Sequence, residues 1–170
     1  MVLLSFQPTM SKEKALQTLQ AFGLAGKSIF FATSTATVQL AAEALSVTPG
    51  QIAKTMAFYG DKEGKSLLIL LAGDINVNSG KFKRRFGFKP KMVKSEDLES
   101  YTGHMAGGVC PFGNPEGTKV YLDISLKKYT MVYPAVGTDN SAIPLSLDEL
   151  GKASGSLGWV DIGKEPTAVL

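Results

Sequence analysis

A run of five apolar residues at 67–71, Leu-Leu-Ile-Leu-Leu, is the feature that most constrains how this chain can fold. Consecutive apolar side chains leave a strand with no polar face, which is typical of a strand inside a sheet that is covered on both sides. A polar turn at Asp61–Gly64 precedes the run, and Gly73-Asp74 follows it. The run therefore predicts a buried central strand over Ser66–Ala72, with helices packed on the sheet.

Short helices and strands alternate along the rest of the chain. Capping residues and helical spacing predict helices that begin at Ser11, at Ser34 or Thr35, at Asn78, at Ser95 and at Ser146, and a single capped turn at Thr48–Gln51. Further strands are predicted over Ser28–Ala32, Thr55–Tyr59, Lys119–Ile124, Thr130–Val136, Ser141–Leu145 and Trp159–Ile162. With 170 residues, 44% of them hydrophobic, we expect one α+β (mixed α/β) domain over residues 1–170, of which the first ten form a loose lead-in.

The stretch Thr102–Gly113 concentrates backbone freedom and reactive side chains. It holds four glycines, a proline, and the only histidine and cysteine of the chain, His104 and Cys110. Glycine loses the most conformational entropy on folding, so such a loop is typical of places where backbone N–H groups approach a ligand closely. The part from Gly107 to Pro111 is interpreted as a stiff cradle of amides. A plain turn between two strands is the alternative.

The composition excludes several classes of function. One histidine and one cysteine cannot supply a Cys/His zinc site, and the chain has neither a Walker A sequence nor a Gly-x-Gly-x-x-Gly motif after a strand. We therefore expect no metal and no organic cofactor. A lone cysteine cannot form an internal disulfide, no apolar run reaches the roughly 18 residues that span a bilayer, and the first residues lack a signal-peptide pattern. These features predict a cytoplasmic protein with no membrane partner.

Several blocks of the sequence resemble the YbaK/ProX family, the free-standing relatives of the editing domain inserted in bacterial prolyl-tRNA synthetases. The loop Gly103–Gly113 is similar to the signature loop of that family. Similar blocks follow the family's order over most of the chain, roughly Ser11 to Ile162: Ser34–Ala42, Ile52–Thr55, Leu71–Asp74, Lys119–Asp123 and Tyr133–Gly137. Several blocks in one order are more specific than any single motif.

The resemblance implies both a fold and an activity. The implied fold is a strongly curved, partly closed mixed sheet packed by helices. The implied activity is trans-editing, in which the ester of a mischarged aminoacyl-tRNA is hydrolysed, with tRNA(Pro) as one candidate and an aminoacyl-tRNA synthetase as a further candidate partner. A non-catalytic tRNA- or nucleotide-binding module on the same fold is the alternative.

The resemblance also implies roles for individual residues. Lys54 matches the family lysine that anchors the acceptor end of the tRNA. The loop that positions the aminoacyl ester corresponds to Gly107, Gly108, Val109, Cys110 and Pro111. Preplaced backbone donors stabilise the charge that develops on a carbonyl oxygen. The residues expected around the substrate are Phe31, Thr35, Thr37, Thr55, His104, Thr138, Asp139 and Asn140, with Asp139 as the candidate sensor of the amino group.

Cys110 departs from the family, because many relatives have serine at this position. A cysteine six residues after the sole histidine suggests a Cys110-dependent thiol hydrolase. We expect instead that Cys110 is a small part of the pocket wall, since it shares one glycine-rich loop with His104 and no Asn or Asp is evidently placed to orient the imidazole.

A basic segment is the candidate contact for the tRNA backbone. The net charge of the chain is only +3, so a nucleic-acid contact must come from a local patch. The candidates are Lys81, Lys83, Arg84 and Arg85, followed by Lys89, Lys91 and Lys94, with no acidic residue among them. A solvated helix face is the alternative interpretation.

Overall fold

The fold is built around the strand Ser66–Ala72, in which every residue is buried. The computed structural model describes residues 6–166. The helices are α1 (Phe6–Gln20), α2 (Val38–Leu45), α3 (Ser79–Phe86), α4 (Leu98–Thr102) and α5 (Leu147–Ala153). The strands are β1 (Ile29–Phe30), β2 (Ala53–Tyr59), β3 (Ser66–Ala72), β4 (Asn76–Val77), β5 (Lys119–Asp123), β6 (Met131–Val132), β7 (Ser141–Ala142), β8 (Leu145–Ser146), β9 (Trp159–Val160) and β10 (Gly163–Lys164).

The central sheet is mixed and has the strand order β2-β3-β5-β9. β2 runs antiparallel to β3, whereas β5 runs parallel to β3 and β9 runs parallel to β5. Three short antiparallel pairs surround this sheet: β1 with β7, β4 with β10, and β6 with β8. A bridge between Ile52 and Tyr133 joins the start of β2 to the segment after β6. The predicted α+β fold with a mixed sheet packed by helices is confirmed.

Aromatic side chains hold α3 against one face of the sheet. The ring centroid of Phe82 on α3 lies 5.0 Å from that of Phe58 on β2. The rings of Phe86 and Tyr121 are 5.3 Å apart and pack edge to face. Because neighbouring residues of a strand point to opposite faces, Ala57 lies on the other face from Phe58. The two faces therefore have different environments, and Ala53, Thr55 and Ala57 line the candidate active site from this other face, together with Lys54 at the start of β2.

Helix caps predicted from the sequence are present at two helices. The Asn78 side chain accepts the Lys81 N–H at 2.9 Å, and the helix ends at Gly87 in the left-handed conformation with φ 86°. At α5, Ser146 and Glu149 form the predicted reciprocal capping box. Thr48 and the turn Pro49–Gln51 also form the predicted box.

Three local predictions need correction. The first ten residues are not all a lead-in, because α1 already includes residues 6–10, while residues 1–5 lie outside the described part. Ser11 consequently lies within α1 and does not cap it. The cap of α2 is Thr37, not Ser34 or Thr35. Several late strands are also shorter than predicted. Within residues 6–166, no helix is long and apolar enough to cross a membrane.

Candidate active site

A cavity of about 340 Å³ opens between the start of β2, the N-terminal end of α2 and the loop after α4. Its volume lies in the range of small-ligand pockets, about 300–1,000 Å³. Small apolar side chains such as Ala53, Ala57 and Val93 form much of its wall. Of the residues predicted to form the site, the cavity is lined by Thr35, Thr37, Lys54, Thr55, Gly107 and Val109.

Lys54 is half-buried in this cavity, as the second residue of β2. Its Nζ donates to the carbonyl oxygen of Gly73 at 3.3 Å. Partial burial lowers the pKa of the Lys54 ammonium group, and the opposing attraction of the Asp74 carboxylate raises that pKa. An ammonium group has three N–H donors, so two remain for an anionic or hydroxyl group inside the cavity.

The Gly73 carbonyl, which accepts from Lys54, lies where three segments of the chain approach one another closely. A Cβ at residue 73 would lie 2.2 Å from the Pro49 carbonyl oxygen and 2.6 Å from Cγ1 of Val38. No side chain fits in that space, so the capped turn Pro49–Gln51 and α2 can both pack against the end of β3. The blocks around residues 34–42, 52–55 and 71–74 thus meet at one point.

The glycine loop is shaped by two glycines for different reasons. Gly107 adopts φ 86° in a turn closed by a hydrogen bond of 3.0 Å from the Gly108 N–H to the Met105 carbonyl. Gly108 does not have a positive φ. It is needed because a Cβ there would lie 2.9 Å from backbone atoms of Gly137 and Thr138.

Two residues of this loop line the cavity and have backbone N–H groups without a backbone partner in the described part of the chain. Gly107 and Val109 both line the cavity, and in the described part of the chain neither N–H donates to a backbone carbonyl. The cradle of amides predicted over Gly107–Pro111 is therefore reduced to these two positions at the cavity. Gly108, Cys110 and Pro111 do not line it.

Thr55 carries an unusual polar group. Its Oγ1 is buried and has no hydrogen-bond partner among residues 6–166, although the residue lines the cavity beside Lys54. Buried hydroxyl groups are almost always hydrogen-bonded. The Thr55 hydroxyl is therefore an unsatisfied polar group within the cavity wall.

His104 is fully buried behind the loop and does not line the cavity. Its Nε2 lies 2.7 Å from the Phe112 carbonyl oxygen, and its Nδ1 lies 2.5 Å from Oγ of Ser11. Because a carbonyl only accepts, the network assigns the proton to Nε2. Ser11 Oγ is also 2.8 Å from the Gly137 carbonyl oxygen. His104 therefore ties α1 to the loop and to the turn at Gly137.

Titration of His104 should be visible in both spectra and stability. Burial lowers its pKa, against the hydrogen bond to Phe112, which raises the pKa, and the nearby Lys14 lowers it further. The unfolded chain, with a pKa near 6.5, takes up the proton first. The free energy of unfolding should therefore fall as pH drops below about 6.5, by at most about 1.4 kcal/mol per pH unit.

The measurement is a proton NMR titration, combined with urea unfolding at pH 7.5, 6.5 and 5.5. The imidazole signals are unambiguous because the chain has one histidine. A folded-state midpoint at or above 6.5 would contradict the buried neutral imidazole. The variant His104→Gln should show a flatter loss of stability over this pH range.

Cys110 is fully buried, so its predicted place in the pocket wall is wrong. Burial raises the pKa of its thiol to about 12, against hydrogen bonds with Phe112 and Gly137 that lower the pKa. Its Sγ lies 3.3 Å from Nε2 of His104, but that nitrogen carries the proton given to Phe112. A nucleophilic cysteine needs an accessible thiolate and a free base, and neither is present. The side chain of Asn114 braces the loop by donating to the carbonyls of Thr102 and Cys110, not to the imidazole.

Replacement of Cys110 should have little effect on catalysis. We expect Cys110→Ala and Cys110→Ser to keep deacylation within about tenfold of the wild type, a barrier change near 1.4 kcal/mol. Single-turnover deacylation, with circular dichroism as the folding control, checks this expectation. A thousandfold loss in a folded Cys110→Ala protein would make covalent catalysis the better account.

The remaining predicted substrate residues lie beside the cavity. Thr138 and Asp139 line a separate cavity of about 250 Å³ together with Ser11 and Gly108. The Asp139 carbonyl accepts the Thr35 N–H at 2.7 Å. Phe31 does not line the main cavity, and its carbonyl accepts from the Asn140 side chain at 2.9 Å. The structure thus uses Phe31 and Asn140 to fix the turn that carries Asp139.

The cations of the basic segment do not line the cavity. Lys83, Arg84 and Arg85 are exposed on α3. Nζ of Lys81 is 3.0 Å from Oδ1 of Asp161 and 2.9 Å from the Gly163 carbonyl oxygen, so it is the least available of the four. The segment after α3 then runs along the free edge of β2, where the Val93 N–H donates to the Ala57 carbonyl at 3.0 Å.

Several site residues escaped prediction. Ser11 contacts His104 across 93 positions of sequence, and no local pattern signals such a pair. Tyr133 lines the cavity, and its N–H donates to the Gln51 carbonyl at 2.9 Å. Met92 and Val93 form part of the wall. These two apolar residues stand between Lys91 and Lys94, and that interruption of a basic run was the available signal.

Comparison with known proteins identifies the family. Residues 32–153 match the aminoacyl-tRNA editing domain. The uncharacterized protein YwhH of Bacillus subtilis is 44% identical over 135 residues, which cover 79% of this chain and 85% of that protein. EbsC of Enterococcus faecalis, named as a proposed Cys-tRNA(Pro)/Cys-tRNA(Cys) deacylase, is 26% identical over 141 residues. The match covers 81% of this chain and 85% of EbsC. A crystal structure described as a proposed trans-editing enzyme for prolyl-tRNA synthetase superposes with a TM-score of 0.81 at 29% identity. The superposition covers 91% of this chain and 97% of that structure.

The fold and the match over residues 32–153 identify the class of protein, the aminoacyl-tRNA editing domains. The chain belongs to the aminoacyl-tRNA editing domain family, the YbaK/ProX family that its sequence blocks resemble. Trans-editing of aminoacyl-tRNA is thereby supported at the level of the family.

Proposed function

We propose that this protein is a trans-editing aminoacyl-tRNA deacylase that hydrolyses the ester of a mischarged tRNA, with tRNA(Pro) as the first candidate. The observation that carries the proposal is one cavity lined by Lys54 and by Gly107 and Val109, whose N–H groups have no backbone partner in the described part of the chain. Family membership supplies the substrate class. Translation places the substrate in the cytoplasm, and a synthetase that releases the mischarged tRNA is the natural partner.

In this proposal Lys54 anchors the acceptor end of the tRNA. The two N–H donors that Gly73 leaves free bind phosphate or ribose oxygens of the terminal nucleotide. A charge-assisted hydrogen bond of this kind contributes roughly 1.5–3 kcal/mol.

The amides of Gly107 and Val109 act on the ester carbonyl. Attack by a water oxygen forms a C–O bond and moves the carbonyl electrons onto its oxygen, where the two N–H groups stabilise the negative charge. The attacking water gives up a proton, the bond to the ribose oxygen breaks, and that oxygen takes up a proton. The free amino acid and the uncharged tRNA are released. A tRNA hydroxyl or a substrate thiol is the alternative attacking group, and no protein nucleophile is required.

The cavity wall favours small, neutral amino acids. Lys54 is the one charged residue among those that line the cavity in the described part of the chain. A charged substrate side chain would lose its hydration in the cavity. It would find no opposite charge there, because the tRNA end occupies the one lysine. This preference agrees with the cysteine substrate in the name of EbsC. Two substrate amino acids that differ by one methylene group are distinguished by only about 1–3 kcal/mol of binding free energy.

The exposed cations on α3 and after it are proposed to contact tRNA phosphates. If they do, the affinity for uncharged tRNA should fall steeply with salt, because each neutralised phosphate releases counterions. Changing Lys83, Arg84 and Arg85 to glutamine together should flatten the slope of log affinity against log salt. Filter binding at several salt concentrations measures it. An unchanged slope would leave the cluster as a solvated face.

A panel of mischarged tRNAs tests the proposed function. The purified protein is incubated with tRNA(Pro) charged with alanine, cysteine or serine and with correctly charged Pro-tRNA(Pro), before and after thiol alkylation. Faster ester hydrolysis on a mischarged tRNA, unaffected by alkylation, supports the proposal. Binding without hydrolysis would favour a non-catalytic module. Loss of hydrolysis on alkylation would favour a thiol hydrolase.

A further inference from the structure

A second cavity of about 400 Å³ lies on the face of the sheet that α3 covers. It is bounded by the turn after β2, the starts of β3 and β5, and the end of α3. Tyr121 lines it and packs on Phe86, whereas Ala53, Thr55 and Ala57 line the candidate active site from the other face of β2. Among residues 6–166, no residue lines both cavities. The second cavity is therefore a separate site.

The charge of this cavity is strongly positive. Four cationic residues line it, and Asp61 is the one carboxylate among its lining residues in the described chain. Asp61 and Lys119 form an ion pair with a long separation of 3.9 Å, and both side chains are about half exposed. Such an exposed pair contributes little and leaves the cavity attractive to anions. The cations are Lys62, Lys65, Arg85 and Lys119.

Arg85 is held in place by aromatic rings and not by a carboxylate. Its guanidinium carbon lies 5.1 Å from the ring centroids of both Phe86 and Tyr121. Within residues 6–166 it forms no salt bridge. Stacking leaves the edge of the guanidinium group, with its N–H donors, available for a ligand. A planar fork of this kind binds phosphate with two parallel hydrogen bonds.

Lys65 is also fixed by the backbone. Its Nζ donates to the Glu116 carbonyl at 2.9 Å. Its aliphatic chain lies against Gly117, where a Cβ would be 3.0 Å from both Cδ and Cε of Lys65. Gly117 also has φ 90°, a backbone conformation that favours glycine. Both the conformation and the lack of space for a side chain therefore require glycine at this position. The ammonium group is positioned beside the cavity and keeps two further donors.

Aromatic surface completes the cavity. Phe86, Phe88 and Tyr121 line it beside the cations. Cationic donors next to partly exposed rings are the combination that binds nucleotides, because phosphate pairs with the cations and the base stacks on a ring. A site for a bare anion would not need the rings, and a site for an apolar ligand would not carry four cations.

We infer that this second cavity binds a nucleotide, with its phosphate at Arg85 and Lys65 and its base against Phe88 or Tyr121. The nucleotide is either free or an unpaired residue of an RNA. The RNA source has one structural support: the segment from Phe88 to Val93 joins the two cavities around the edge of β2 and carries Lys89 and Lys91. An RNA whose end lies at Lys54 would meet further cations along that path.

Calorimetric titration of the purified protein with AMP, adenosine, inorganic phosphate and a short single-stranded adenosine RNA tests this inference. AMP should bind more tightly than adenosine or phosphate alone. Arg85→Gln should weaken AMP binding at least tenfold. Lys152→Gln is the control, because it removes a positive charge from an exposed position of α5 that does not line the cavity, and it should change AMP affinity less than threefold. Lys65→Gln provides a second variant should Arg85→Gln fail to fold.

The titrations are repeated in Lys54→Ala, because the candidate active site is the other place where a nucleotide end could bind. AMP binding that survives Lys54→Ala and is lost in Arg85→Gln supports the second site. If the RNA binds more tightly than AMP and with the same dependence on Arg85, the natural ligand is a nucleotide of an RNA. If the two affinities are equal, the natural ligand is a free nucleotide. Loss of AMP binding in Lys54→Ala alone, phosphate binding as tight as AMP, or no binding of any nucleotide would overturn the inference. Failure of ester hydrolysis would leave this result unchanged.

Discussion

Lys54→Ala should lower the rate of deacylation at least tenfold while the protein stays folded. Among the described residues, Lys54 is the one cation that lines the cavity, and its ammonium group is held by the Gly73 carbonyl at 3.3 Å. Its loss removes a charge-assisted contact to the tRNA end, and a tenfold effect corresponds to about 1.4 kcal/mol. Stability should change little, because the side chain is half-buried and gives up one hydrogen bond to a carbonyl.

Single-turnover deacylation of a mischarged tRNA, at saturating and subsaturating protein, measures the effect. Lys152→Ala is the matched control, since Lys152 is exposed on α5 and pairs only with Asp148 in the described chain. It should retain the wild-type rate. Circular dichroism and thermal unfolding check the fold of both variants. A Lys54→Ala protein with near-normal turnover would remove Lys54 from the site.

Gly108→Val should cause a larger loss, at least a hundredfold in deacylation. A Cβ at residue 108 would lie 2.9 Å from the carbonyl carbon and oxygen of Gly137 and from the nitrogen of Thr138. These are backbone atoms, so they cannot rotate away as a side chain could. Overpacking of this kind typically costs about 1–3 kcal/mol of stability. The loop must shift, and the amides of Gly107 and Val109 move with it.

Gly26→Val is the control for valine at a glycine position. In the described part of the chain nothing lies within 4 Å of a Cβ at residue 26, so this variant should keep both its activity and its melting temperature. Deacylation and thermal unfolding are measured on both proteins. The account fails here if Gly108→Val is folded and as active as Cys110→Ala, because the geometry of the loop would then not matter.

Periodicity and caps made the main elements of the fold predictable. The apolar run at 67–71 located β3, and its burial on both faces follows from its composition. The helix ends were predictable because capping hydrogen bonds depend on a few neighbouring residues. The examples are Asn78 and Gly87 at α3, and Ser146 and Glu149 at α5. The N-terminal part of α1 was missed because Ser11 has the chemistry of a cap. In the structure its hydroxyl instead contacts His104 and Gly137, which are distant in sequence.

The candidate site was predictable in its position but not in the direction of its side chains. The family blocks placed Lys54, Thr55 and Gly107 together, and the cavity contains all three. They could not show that Cys110 points into the core, because a loop residue can face either side of its backbone. The second cavity was equally hidden. It joins Lys65 and Arg85 from separate elements, and only tertiary packing brings them together.

The most direct test of the proposed function is the single-turnover rate of ester hydrolysis on mischarged tRNA(Pro), with protein in excess, compared with the spontaneous rate in buffer. The account predicts an acceleration of at least a hundredfold, which corresponds to about 2.7 kcal/mol of barrier, and it predicts that Cys110→Ala keeps most of it. A wild-type protein that binds the mischarged tRNA but leaves its ester to decay at the spontaneous rate would contradict the account.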